Sequence, residues 1–261
     1  MTVPDPLGLA KGNRARVWEA LGDGKDTFVR DREIAQRLTS LMPGMRHVAR
    51  DNRGFLEEAV ATLTRAHGIR QFVDLGAGLP RMGKNLHDIV REHAPAARMV
   101  YLDHDQMVVV HWRARLKTRG LAVVEGDALH PEKVLADPEL RKLIDLDRPV
   151  GLIMSALVHF WPSEDVAPVM DAYLTALAPG SGLVLSHATT QGLFQDLLTL
   201  AVHAYEQPIH PRSADEITRL FDGLDLLPPG VVAVRDWPLH LGVDRPPLFL
   251  GGVAVTREGQ Q

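Results

Sequence analysis

The chain has 261 residues, enough for one domain and an extension at ~150 residues per domain. Apolar residues make up 45% and charged residues 24%, which are globular values and exclude wholesale disorder. There is no cysteine and the formal net charge is −4, so disulfide scaffolds, thiolate zinc sites and cysteine nucleophiles are excluded, and no nucleic-acid partner is expected.

Residues 1–69 contain no convincing strand. Pro4, Asp5 and Pro6 stand where a signal peptide would place an apolar region, so the expected compartment is the cytoplasm. Asp31–Leu41 and His47–His67 read as helices, the second with a stripe of Val48, Phe55, Leu56, Val60 and Leu63. From residue 70 short apolar runs alternate with helical patterns. The runs are Gln71–Leu75, Met99–Asp103, Ala122–Glu125, Val150–Ser155 and Gly182–His187, each short and nearly all apolar, as strands buried on both faces are. Between them lie helical patterns at Asn85–His93, Gln106–Thr118, Glu132–Ile144 and Glu164–Leu177, with Ser163 placed to cap the last. This alternation predicts an α/β fold with a parallel sheet and helices on both faces.

Arg113, Arg115, Lys117 and Arg119 alternate at i, i+2 and read as a solvated helix end. The longest apolar run, Gly151–Trp161, is far short of the ~18 residues of a membrane span, so no membrane partner is expected. After about residue 190, Leu193–Tyr205 reads as a helix, and Ser213-Ala214-Asp215-Glu216 is a capping box opening another to Leu220. Val231–Val234 and Leu248–Val255 read as two further strands. The layout is a helical cap over 1–69 and a core over 70–261. Neither His104 and His111 nor His203 and His210 have metal-site spacing, so no metal is expected.

The sharpest signal is Phe72-Val73-Asp74-Leu75-Gly76-Ala77-Gly78, a buried strand running into an acidic residue and Gly-x-Gly. Glycines there let the backbone turn tightly and approach a ligand. A dinucleotide site wants a third glycine where this chain has Arg81 after Pro80, and its acidic partner ~20 residues on, whereas Asp103 lies 27 after Gly76. A nicotinamide-dependent oxidoreductase is therefore the less favoured alternative. Asp74 suits a cationic ligand and repels phosphate. S-adenosylmethionine, with its sulfonium and ammonium, fits that charge. Asp103, with His104 after it, ends the second strand, where a carboxylate can accept both ribose hydroxyls. Gly126, Asp127 and Ala128 follow the third strand, where an acceptor and backbone amides can meet adenine. The competing readings are ordinary turns, with Asp74 or Asp103 solvated and Asp105 as a helix cap.

These residues resemble a class I S-adenosylmethionine-dependent methyltransferase. Further segments are similar to a functionally uncharacterised family of S-adenosyl methyltransferases: Ala15-Arg16-Val17-Trp18, Gly24-Lys25-Asp26-Thr27-Phe28, Ala49 to Leu56, Gly68 to Phe72, Gly78-Leu79-Pro80, Val100 to Asp103, Asp147 to Val150, His159-Phe160, Leu185 to Thr189 and Gly251-Gly252-Val253. Gly22-Asp23-Gly24 departs from the family's Leu-Gly-Gly, Arg81 replaces a small polar residue, and one residue is inserted before Asn85. The resemblance implies a Rossmann-like methyltransferase sheet, mostly parallel with an antiparallel last strand, and N-terminal helices folded over the cofactor's methionine end. On that reading Lys25, Asn52 and Arg53 can meet its carboxylate or carry the lid, Arg53 the better for the carboxylate because a guanidinium forks onto it. Ser155, Ala156 and Leu157 would line the cofactor beside its sulfonium. His159 is the candidate general base, with His187 second. The expected acceptor is a small molecule, and a cofactor-binding protein without turnover is the alternative. A chain starting near residue 66 is expected to keep much of its sheet. Nothing in the sequence reads out the oligomeric state.

Overall fold

Strands alternate their side chains between two faces, and the apolar runs here have no polar face, so helices must cover both. The computed structural model, which describes residues 12–116, 118–192, 208–239, 242 and 245–257, shows that arrangement. Five parallel strands form the centre: β1 (Gln71–Leu75), β2 (Arg98–Asp103), β3 (Leu121–Glu125), β4 (Gly151–Ser155) and β5 (Gly182–Ala188). β6 (Leu224–Leu226), β7 (Val232–Ala233) and β8 (Phe249–Thr256) follow. The order is β3-β2-β1-β4-β5-β8-β6, with β8 antiparallel to β5 and β7 also paired to β8. The chain therefore reverses direction of growth between β1 and β4, and ligands of such sheets bind at the carboxyl ends there.

The helices are α1 (Arg14–Leu21), α2 (Val29–Leu41), α3 (Met45–Ala66), α4 (Leu86–His93), α5 (Gln106–Arg115), α6 (Pro131–Ala136), α7 (Pro138–Leu143), α8 (Ser163–Thr175) and α9 (Ala214–Arg219). One face of the sheet packs Phe72, Met99, Tyr101, Ile153 and Val184 into a core with residues of α1 to α5. The opposite face packs Val73, Val100, Leu102, Leu152 and Leu183 with residues of α6 to α9. No helix among the described residues is long and apolar enough to cross a membrane.

Four readings of the elements need correction. The helix expected over Glu132–Ile144 is two, because Pro138 starts a new one and Asp137 caps it, accepting from the Glu139 and Leu140 amides at 2.9 and 3.0 Å. The helix expected to Thr118 ends at Arg115, and Ser163 is the first residue of α8 rather than its cap. The strand expected over Val231–Val234 is only Val232–Ala233. The helix expected over Leu193–Tyr205 lies outside the described residues, whereas the Ser213–Glu216 capping box is present.

Residues 14–66 add no strand, but α3 is not a detachable cover. Its Phe55, Ala59, Val60 and Leu63 are fully buried in the core shared with β1, β4, β5 and β8. Removing α3 uncovers that face, so a chain starting near residue 66 is expected to be destabilised as well as to bind cofactor poorly, read as a lowered denaturation midpoint. The fit is close elsewhere too. A Cβ at Gly151 would lie 2.3 Å from the Phe72 ring, itself fully buried. Gly151→Ala is expected to destabilise the fold by ~1–3 kcal/mol through overpacking, read as a lowered denaturation midpoint with an unchanged slope.

Candidate functional site

β1 delivers the chain into a loop where Gly76 and Gly78 both have φ in the left-handed region, at 70° and 64°. A Cβ on Gly76 would also meet the Leu157 side chain at 2.8 Å. The loop's amides are spent inside the protein: Gly76 and Ala77 donate to the Leu102 carbonyl at 2.8 and 3.0 Å, and Gly78 donates to Asp103 Oδ2 at 2.9 Å. A pyrophosphate needs such amides free, so the loop is not a phosphate cradle. Trp112 Nε1 donates to the Gly78 carbonyl at 2.8 Å and its ring stacks on Tyr101 at 3.7 Å, which fixes the loop from outside.

A cavity of about 520 Å³ opens against this loop, within the ~300–1,000 Å³ of small-molecule sites. A second, of about 180 Å³, adjoins it. Gly76, Asp103, His104 and Leu157 line both. Asp74, Ala77, Gly78, Arg53, Ser155 and Ala156 line the larger. Gly126, Asp127 and Ala128 line the smaller, with apolar walls from Leu102, Leu129 and Trp161. Leu75 is the exception, because its side chain is fully buried in the core and lines neither cavity.

The two acidic residues on β1 and β2 are buried, not solvated. Asp74 is pushed up to about 7 by burial, with the Arg53 charge opposing and Asp103 adding. Asp103 takes one backbone amide on each oxygen, from Gly78 and from Asp105 at 3.0 Å. Burial raises it and those two bonds oppose the rise. Asp105 caps α5 through the Met107 amide, as its alternative reading had it, and also accepts from Asn13, the cap of α1. That bond joins the N-terminal helices to the β2 loop across 92 residues. His104 Nδ1 lies 3.7 Å from Asp103 Oδ1, and Asp127 is exposed, its Oδ1 accepting from the Leu129 amide.

From the cap, α3 presents Asn52 and Arg53. Arg53 is bonded to Glu57 at 2.6 Å and to the Lys84 carbonyl at 2.9 Å, its side chain only 15% exposed. Lys25 is exposed at the cavity rim. Asn52 donates to Ser155 Oγ at 2.9 Å, while its buried Oδ1 meets no partner among the described residues. A buried acceptor without a donor is costly unless a ligand supplies one. Sequence reasoning saw Asn52 as a carboxylate partner or part of the lid; nothing local marks its bond to Ser155, 103 residues away. Ser155 also meets Ser186 Oγ at 3.1 Å, and Ala156 follows with φ 50°, a left-handed conformation unusual for alanine.

The histidines separate. His187 Nδ1 lies 2.8 Å from the Ala188 carbonyl and so carries the proton, and Nε2 accepts from Arg212 at 2.7 Å. Burial holds it at about 4, with the Arg212 charge adding and the Ala188 bond opposing. Both of its ring nitrogens are thus engaged within the protein. His159 lines the larger cavity, 3% exposed, and its Nδ1 has no partner among the described residues. Burial, then His187, Arg14, Arg212 and His210, holds it well below the usual imidazole range.

Comparison with known proteins identifies the family. A profile of the S-adenosyl methyltransferase family matches residues 2–254. No curated protein matches the sequence. Two solved structures are similar along almost the whole chain. A candidate methyltransferase from Thermobifida fusca YX is 36% identical with a TM-score of 0.90, over 98% of this chain and 100% of that one. A DUF574 family protein from Streptomyces avermitilis MA-4680 is 33% identical with a TM-score of 0.89, over 96% and 99%. The chain thus belongs to the S-adenosyl methyltransferase family and is an S-adenosylmethionine-dependent methyltransferase on a Rossmann-like sheet.

Proposed function

We propose that the chain methylates a small-molecule acceptor inside the larger cavity, with the cofactor laid across the carboxyl ends of β1 to β4. The observation that carries this reading is the union of two cavities at Asp103, one broad and one narrow. The narrow one takes the adenine between Leu102, Leu129 and Trp161, with Gly126, Asp127 and Ala128 at its polar edge. Asp103, lining both, accepts from the ribose. Asn52 Oδ1, without a partner among the described residues, and the Asp74 carboxyl both suit a cation, which the cofactor's ammonium supplies. Arg53 faces its carboxylate, held ready by Glu57, and α1 to α3 cover that end.

When bound, the cofactor supplies a methyl group on a sulfonium, already a good leaving group. The protein's part is to align an acceptor, exclude water and manage one proton. His159, kept neutral by its surroundings, is the group placed to take that proton.

The test uses methyl-labelled S-adenosylmethionine with a cell extract split by ultrafiltration into metabolites and macromolecules. Label is expected in the metabolite fraction. Label in protein or nucleic acid overturns the small-molecule reading. Tight S-adenosylhomocysteine binding with no transfer into either fraction makes the chain a cofactor-binding protein without turnover.

A further inference from the structure

β5 is buried along its whole length, and Ser186 stands in it directly after Leu183, Val184 and Leu185. Its side chain is fully buried and lines neither cavity. A buried hydroxyl is costly unless it is bonded. The backbone of Ser186 already holds the turn that follows β4, because the Ala156 amide donates to the Ser186 carbonyl at 3.0 Å. The hydroxyl oxygen takes a share of the same amide at 3.1 Å. It also lies 3.1 Å from Ser155 Oγ, which in turn accepts from Asn52 Nδ2 at 2.9 Å. Three side chains, from β5, β4 and α3, thus form one hydrogen-bonded row. The row ends at Asn52 Oδ1, which is buried, belongs to a residue lining the larger cavity, and meets no partner among the described residues.

The protons along the row can be counted. Ser186 Oγ receives the Ala156 N–H, so its own proton has one acceptor among the described residues, Ser155 Oγ. Leaving that proton unbonded in the interior would be the costlier arrangement. Ser155 Oγ therefore accepts twice, from Ser186 and from Asn52, and is held from both sides. An oxygen fixed in this way anchors Asn52 by its NH₂ group and leaves the carbonyl oxygen for a ligand. Without Ser186 the Ser155 hydroxyl is free to change rotamer, and the Asn52 amide loses a fixed anchor.

We infer that Ser186 is a positioning residue for the cofactor: from outside both cavities it holds Ser155 so that Asn52 presents its acceptor to the ammonium of the cofactor's amino-acid head. This rests on the reading above that brings the ammonium to Asn52. Ser186 touches no ligand, so its influence runs through Asn52 alone. A serine that only packed β5, or only held the Ala156 turn, would affect every ligand of the site equally.

The experiment measures two ligands by calorimetry, S-adenosylhomocysteine and 5′-methylthioadenosine, which keeps the nucleoside and the sulfur but lacks the amino-acid head. Ser186→Ala is expected to weaken S-adenosylhomocysteine about three- to tenfold, the range of one ordinary hydrogen bond, and to leave methylthioadenosine within about twofold. In an Asn52→Ala background the same substitution should change S-adenosylhomocysteine binding by less than about twofold, because the residue it acts through is gone. That cycle needs S-adenosylhomocysteine only. Equal weakening of both ligands, unchanged S-adenosylhomocysteine binding, or additive losses in the double variant each overturn the assignment. Asn52→Ala alone separates this from the reading beneath it: wild-type S-adenosylhomocysteine affinity in that variant removes the ammonium from Asn52, and the role of Ser186 with it. Ser186→Cys fills the same space with a weaker hydrogen-bonding group, and it carries the same comparison if the alanine variant does not fold.

Discussion

Asp103→Ala is expected to weaken S-adenosylhomocysteine binding by well over tenfold while the protein stays folded. Asp103 is 6% exposed and lines both cavities, where the proposed binding mode puts the ribose. Hydrogen bonds to a charged group are worth ~1.5–3 kcal/mol each, so losing even one costs about tenfold or more. The variant also frees the Gly78 and Asp105 amides, which loosens the loop that shapes the cavity. Asparagine is no gentle substitute. Each Asp103 oxygen already accepts an amide, so the new NH₂ group must face one of those donors. Calorimetry gives the dissociation constant, and thermal unfolding shows whether the fold survives. An unchanged constant in a folded variant would move the ribose contact to Asp105, whose oxygens are bonded to Met107 and Asn13.

The central strands were legible because burial on both faces leaves an unbroken apolar signature, and β1, β2 and β4 match their expected runs within one residue. β6 was missed because Leu224-Asp225-Leu226 is too short for a pattern, and only its register with β8 makes it a strand. The break between α6 and α7 was written in Asp137-Pro138, but the apolar spacing ran smoothly across it. In the site, carboxylates at the ends of β1 and β2 were readable because strand ends are fixed in sequence. Contacts across the fold were not. Asn13 meets Asp105, Asn52 meets Ser155 and Arg212 meets His187 only after the sheet has assembled. The last of these engages one of the two histidines that the sequence left as competitors.

Binding of S-adenosylhomocysteine should release a proton below pH 7 and weaken as the pH falls, because of Asp74. Burial raises its folded value from 3.8 to about 7, Arg53 only partly offsets that, and Asp103 adds to it. Near neutrality the carboxyl of the empty site is thus partly protonated. A bound ammonium favours the carboxylate, so each binding event expels the proton. Affinity should drop about tenfold for each unit below pH 7 until the bound form itself takes up a proton. Calorimetry in buffers of different ionisation enthalpy counts that proton directly. The cofactor-free protein carries the opposite signature. A raised carboxyl costs nothing below 3.8, where folded and unfolded chains are both protonated; stability is lost as pH rises from 3.8 to about 7 and stays reduced above it. Asp74→Asn removes this cost, so above pH 7 the empty variant should be more stable than the wild type by ~2–4 kcal/mol. The same variant should bind the ligand more weakly, with a flat pH dependence between 5 and 7. A wild-type affinity that is level across that range, with no proton released, would mean that Asp74 is already ionised in the empty site and does not sense the ligand's ammonium.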